Sequence, residues 1–131
     1  MKRGIFIEAH ESLYKLFIAK GIPGNTQKKL TKLFAWFIEE VKQFQKFENK
    51  MRATYNIEVD QEVKDEKTGE KVIKKQTIIN PEKLEEFTKK IEEYNSVELN
   101  IDLPQIKFDQ LKNVTELSTY DYHLLNFLIT E

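Results

Sequence analysis

Two histidines, His10 and His123, three adjacent glutamate pairs and the absence of any cysteine frame what chemistry this chain can do. A nucleophile needs a base beside it and a further group to orient that base, and each histidine here stands alone in the sequence. Both read as surface or structural residues. The pairs Glu39-Glu40, Glu85-Glu86 and Glu92-Glu93 could in principle bring carboxylates together for proton transfer or Mg²⁺. Neighbouring residues of a helix, however, point about 100° apart, and a lysine lies within three residues in each case, so these pairs read as solvated helix faces. Without cysteine there is neither a disulfide framework nor a thiolate metal site. Only four glycines are present, and Gly21 to Gly24 lacks the spacing and the following Lys-Ser/Thr of a phosphate-binding loop. The expectation is a protein that is not an enzyme and has no cofactor and no metal.

Binding residues are easier to nominate. Lys28, Lys29 and Lys32, with Lys20 before them, form the best basic cluster, and Phe34 and Trp36 follow at once. Basic residues interleaved with aromatic ones can bind single-stranded nucleic acid, but the main apolar stripe runs through the same segment and claims most of those rings for a core. A net charge of −1 also argues against a dedicated nucleic-acid binder. Trp36 and Phe47 lie within about 20° of each other on a helical wheel and roughly 100° from the centre of that stripe. Large aromatic residues off the core face are enriched at interfaces. Trp36, Phe47, Lys28, Lys29 and Lys32 are therefore the candidate contacts with a protein partner, be it a second copy or another protein. The competing reading is that a neighbouring helix and hairpin of the same chain cover the two rings.

The charge is unevenly distributed. Residues 1–56 hold eleven Lys and Arg against five Asp and Glu, whereas residues 57–131 hold ten against seventeen. The two halves can attract one another within a chain, or the basic face of one copy can meet the acidic face of the next. Nine Phe and 40 % hydrophobic residues in 131 positions indicate one folded domain spanning 1–131 and not a disordered chain. The longest apolar stretches, such as Leu33 to Ile38, are far short of the ~20 residues that span a bilayer, and no leader is evident after Met1-Lys2-Arg3. No membrane association is expected.

The elements that would position these residues follow from periodicity and punctuation. Gly4-Ile5-Phe6-Ile7 reads as a short strand, and Leu13, Leu16 and Phe17 mark a helix from His10 to Lys20 that Gly21-Ile22-Pro23-Gly24 stops. A dominant amphipathic helix runs from about Gln27 to Tyr55, with Leu30, Phe37, Phe44 and Met51 repeating every seven residues and Phe34 and Val41 doing likewise. Alternation over Ile57 to Ile79 around Gly69 predicts a β-hairpin so rich in Lys and Glu that it should project into solvent or be partly disordered. Asn80-Pro81-Glu82 starts another helix, carrying Leu84, Phe87, Ile91 and Tyr94 on one face. Val97, Leu99 and Ile101 alternate as a half-buried strand, and Ser118 with Asp121 resembles a capping box opening a last helix through Leu128. The class is α+β: one long amphipathic helix, two or three shorter helices, and a small antiparallel sheet including the charged hairpin at 57–79.

This layout resembles a group of small proteins encoded by tailed bacteriophages and prophages. The residues that carry the likeness are Ile22-Pro23, Thr26, Leu30 and Leu33, then Phe47-Glu48, Arg52, Tyr55, Gly69, Phe87 and Ile91. Val97-Glu98-Leu99-Asn100-Ile101, Ile106, Phe108, Leu111 and Leu117-Ser118 complete it. The hairpin departs from the group, being longer and more charged than its usual short turn. The resemblance implies a non-enzymatic phage protein acting through protein–protein contacts, as a minor virion structural or assembly component found in the host cytoplasm or the virion. It transfers no catalytic residue. A second reading from the residues themselves is a host-directed inhibitor whose acidic C-terminal half, with Glu92, Glu93, Glu98, Asp102 and Asp109, meets a basic host surface.

Overall fold

The computed structural model describes residues 1–131, an α+β chain in the order α1 (Arg3–Ile18), α2 (Gly24–Tyr55), β1 (Asn56–Lys64), β2 (Lys71–Ile79), α3 (Leu84–Asn95), β3 (Ile106–Lys107), α4 (Thr119–Leu124) and β4 (Ile129–Thr130). Single 3₁₀ turns at Pro81–Lys83 and Phe108–Leu111 precede α3 and follow β3. β1 and β2 form an antiparallel hairpin, while β3 and β4 pair in parallel over two residues each. No helix is long and apolar enough to cross a membrane. The chain divides into two compact units, Met1–Lys42 with Glu92–Glu131, and Gln43–Ile91.

The first unit holds the core. Phe6, Ala9, Leu13 and Leu16 recur at helical spacing along α1, and Leu30, Leu33 and Phe37 do so along α2. Ile106, Leu111, Val114, Leu117, Leu125 and Leu128 complete the cluster. Each large side chain removed from water contributes roughly 1.5–3 kcal/mol, and together they hold the short C-terminal elements against the helices. Phe6 meets Trp36 edge-on at 4.9 Å and Phe37 at 5.7 Å, and Phe17 meets Phe34 and Phe37 at 5.1 Å each.

Three sequence expectations fail here. Gly4 to Ile7 is not a strand but the first turns of α1, because Phe6 begins the Phe6, Ala9, Leu13, Leu16 stripe and Ile5 faces outward at 44 % exposure. A run of four apolar residues carries no period of its own, so its neighbours decide. The strand expected over Val97 to Ile101 is reduced to one isolated antiparallel bridge between Lys2 and Glu98. That bridge has a purpose. Lys2 offers no side-chain cap to α1, and the Val97 carbonyl accepts from the Arg3 N–H at 2.9 Å while the Leu99 N–H donates to the Met1 carbonyl at 2.8 Å. An added Cβ on Gly4 would sit 3.2 Å from the Asn95 Cβ, so the close approach of these segments favours glycine. The last helix also stops early, at Leu124, after which the chain turns into β4.

In the second unit, Met51 and Tyr55 of α2 are buried, and Tyr55 meets Phe87 edge-on at 5.7 Å. The helix passes directly into β1, and the Tyr55 carbonyl accepts from the Asn80 N–H at 2.7 Å, closing the base of the hairpin. Asn80 Oδ1 then caps the next turn by accepting from the Glu82 N–H at 3.1 Å, as its sequence context predicts. At the tip, Gly69 takes φ +71°, and its N–H reaches the Asp65 carbonyl at 2.8 Å.

Candidate functional site

The five residues nominated from sequence do not form one site. Lys29, Lys32 and Trp36 line a groove of about 290 Å³ with Ile101, Asp102 and Pro104, where Lys29 Nζ lies 3.5 Å from the Gln105 carbonyl. Lys28 is exposed outside that lining, and Phe47 belongs to the second unit. The aromatic shoulder is thus divided: Trp36 is half-buried against Phe6 of α1, so α1 covers it within the same unit. Helical spacing predicts that two residues share a helix face; it says nothing of which neighbour covers each stretch of that face. The groove is open and sets two lysines and one aspartate around one partly used ring, which gives it little power to select a ligand.

The most perturbed titratable group is elsewhere. Asp121, only 3 % exposed, accepts from the Ser12 hydroxyl at 2.7 Å, the Ser118 N–H at 2.8 Å and the Ser118 hydroxyl at 3.0 Å, with Lys15 Nζ 3.4 Å away. The Ser118 backbone N–H, helped by the two hydroxyls and the Lys15 ammonium, holds this carboxyl at about 2 against the penalty of burial. The Asp121 N–H returns to Ser118 Oγ at 3.1 Å, so the capping box read from sequence is complete. Sequence reasoning missed Ser12 and Lys15, whose partner lies 109 and 106 residues away. A serine beside a carboxylate suggests a nucleophile, yet a carboxylate ionised down to about 2 is a poor base, and no imidazole lies between them. The cluster ties α4 to α1. His10 Nδ1, 2.6 Å from the Ile7 carbonyl, is likewise engaged with its own helix.

The hairpin is the surface with most left to satisfy. None of its residues is buried in either nine-residue arm, and no third strand joins it. The register pairs Ile57 with Ile78, Val59 with Gln76, Gln61 with Lys74 and Val63 with Val72, so five aliphatic side chains share one face. The opposite face carries Glu58, Asp60, Glu62 and Lys64 on β1 against Thr77, Lys75, the exposed Ile73 and Lys71 on β2. Exposed ion pairs bridge the strands there, Glu62 to Lys71 at 3.7 Å and Glu58 to Lys75 at 3.9 Å. Such pairs contribute about 0–1 kcal/mol each, and a lone two-stranded hairpin is marginally stable in water. The geometry therefore offers an apolar strip on one side, a charge ladder on the other and two open strand edges. Comparison with protein-family models, with curated proteins and with solved structures gives no match for this chain.

Proposed function

We propose that this chain is a non-enzymatic phage protein that works through protein–protein contacts, as a minor virion or assembly component, and that the β1–β2 hairpin makes those contacts. The phage setting comes from the resemblance. One observation carries the role: a hairpin of two nine-residue arms with an aliphatic face has no residue of either arm buried and both edges unpaired. Strand edges recruit further strands, and half-exposed Val59, Val63 and Val72 gain burial when they do. The inhibitor reading draws less support, since of its acids Glu98 already takes the N-terminal ammonium at 3.1 Å and Asp102 lines a groove with Lys29 and Lys32.

The test is cross-linking with mass spectrometry in phage-infected or prophage-induced cells, using a lysine-reactive reagent. Lys64, Lys67, Lys71, Lys74 and Lys75 should link to phage-encoded proteins, copies of this chain included, and Val63→Lys with Val72→Lys should remove those links while the protein stays folded. Links to a single host protein, from the segment around Glu92 to Asp109, would replace assembly with inhibition.

A further inference from the structure

We propose that the partner of the hairpin is a second copy of this chain, added head to tail, so that the outer edge of β1 pairs with the outer edge of β2 of the next molecule. This rests on the reading of the hairpin as the contact element and names what it contacts. The first step is to find which backbone groups are free. The Asp65 N–H donates to the Glu70 carbonyl and the Asn80 N–H to the Tyr55 carbonyl, at opposite ends of one uninterrupted register. Antiparallel strands alternate between residues that bond inward and residues that point outward. Ile57, Val59, Gln61 and Val63 therefore bond to Ile78, Gln76, Lys74 and Val72, and the outward groups belong to Asn56, Glu58, Asp60, Glu62 and Lys64 on β1 and to Lys71, Ile73, Lys75, Thr77 and Ile79 on β2.

The second step is charge. The outward residues of β1 are three acids with Lys64 and the uncharged Asn56, a net charge of −2, and those of β2 include two lysines and no acid, a net charge of +2. Two β1 edges brought together by a two-fold axis would set Asp60 against Asp60 and Glu58 against Glu62, and two β2 edges centred on Ile73 would set Lys71 against Lys75. Each edge repels its own kind. A β1 edge against a β2 edge brings opposite net charges together. The register the hairpin itself uses would set Asp60 opposite Lys75 of the next copy but Lys64 opposite its Lys71, whereas a slip of two residues sets Glu58 opposite Lys75 and Glu62 opposite Lys71 and is the favoured one. The third step is direction. Copies related by a step along the sheet combined with the rotation of its twist set β1 antiparallel to the next β2, with both aliphatic faces on one side, so the ladder continues and Val59, Val63 and Val72 join one apolar strip. A repeated contact of this heterologous kind closes as a ring or grows as a filament.

The test uses proline, which is tolerated on an edge strand where its missing N–H would face solvent. Asp60→Pro removes an outward N–H of β1 and Ile73→Pro one of β2, and neither removes a bond of the hairpin. Sedimentation velocity should find the wild type in multiples of the 15.6 kDa protomer that shrink as salt rises from 0.1 to 1 M, where the screening length falls from about 10 Å to about 3 Å. Each variant alone should be monomeric. A one-to-one mixture should form a heterodimer, because one variant keeps β1 open and the other keeps β2 open; that rescue also shows that both are folded. A wild type that stays monomeric at every concentration overturns the proposal. Self-association lost in Asp60→Pro but kept in Ile73→Pro also overturns it, in favour of a two-fold β1 contact. Hairpin cross-links to other phage proteins from a monomeric wild type would sink the self-pairing and leave the functional reading standing.

Discussion

At the scale of single residues, Asp121 and Gly21 bear the most structural consequence. The Asp121 carboxyl, held at about 2 in the folded chain against an ordinary value of 3.8, stabilises the fold by an amount fully present above pH 4. That contribution, on the order of 2 kcal/mol, disappears as pH falls from about 4 towards 2. Asp121→Asn should therefore lower stability at pH 7 by roughly 2 kcal/mol and flatten the loss of stability between pH 4 and pH 2, both read from urea unfolding. An unchanged acid limb would mean that other carboxylates set it. Gly21 has φ +86°, and a Cβ there would meet the Asn113 carbonyl oxygen at 2.7 Å, while nothing lies within 4 Å of one at Gly24. Gly21→Ala should cost about 1–3 kcal/mol and Gly24→Ala close to nothing, measured in the same unfolding series. Equal effects would show that the turn shifts freely.

At the scale of elements, legibility tracked whether a segment's structure is settled locally. The α2 stripe, the hairpin around Gly69, the Asn80 cap and the Ser118–Asp121 box depend on neighbours within a few residues, and the chain forms all of them. The first strand and the Val97 to Ile101 strand fail to form for the opposite reason. Whether Ile5 to Ile7 coils depends on joining the Leu13 and Leu16 stripe, and whether Val97 to Ile101 forms a ladder depends on a partner that Lys2 alone supplies. Of the nominated contacts, Lys29, Lys32 and Trp36 come together, whereas Phe47 does not, since one helix serves two units. The outward charges of the hairpin were legible as composition, but their separation onto two edges required the register. The same locality predicts dynamics. In the monomeric Asp60→Pro variant, amides of Val59, Gln61 and Val63 should exchange with solvent at least tenfold faster than those of Phe6 to Leu16, because few buried contacts resist local opening of a two-stranded hairpin. Equal protection would mean that the hairpin opens only with the whole chain.

For the whole molecule, the question is whether the hairpin contributes to holding the fold or is carried by it. Every member of the hydrophobic core cluster lies in the unit Met1–Lys42 with Glu92–Glu131, and none lies between Gln43 and Ile91. Pairings of the basic and acidic halves that do form within one chain, Lys15 with Asp121 and the N-terminal ammonium with Glu98, also fall in that unit. The hairpin's own charges are matched only across its two strands, by exposed pairs of small worth. Replacing residues 58–77 by a short Gly-Ser turn should thus leave the main unfolding transition within a few degrees of the wild type, since a change of 1 kcal/mol shifts the midpoint of a domain this size by only about 4 °C. The same replacement should abolish salt-sensitive self-association outright. Differential scanning calorimetry beside sedimentation separates these effects: loss of both would make the hairpin part of the fold, and loss of association alone would make it a contact element that the rest of the chain presents.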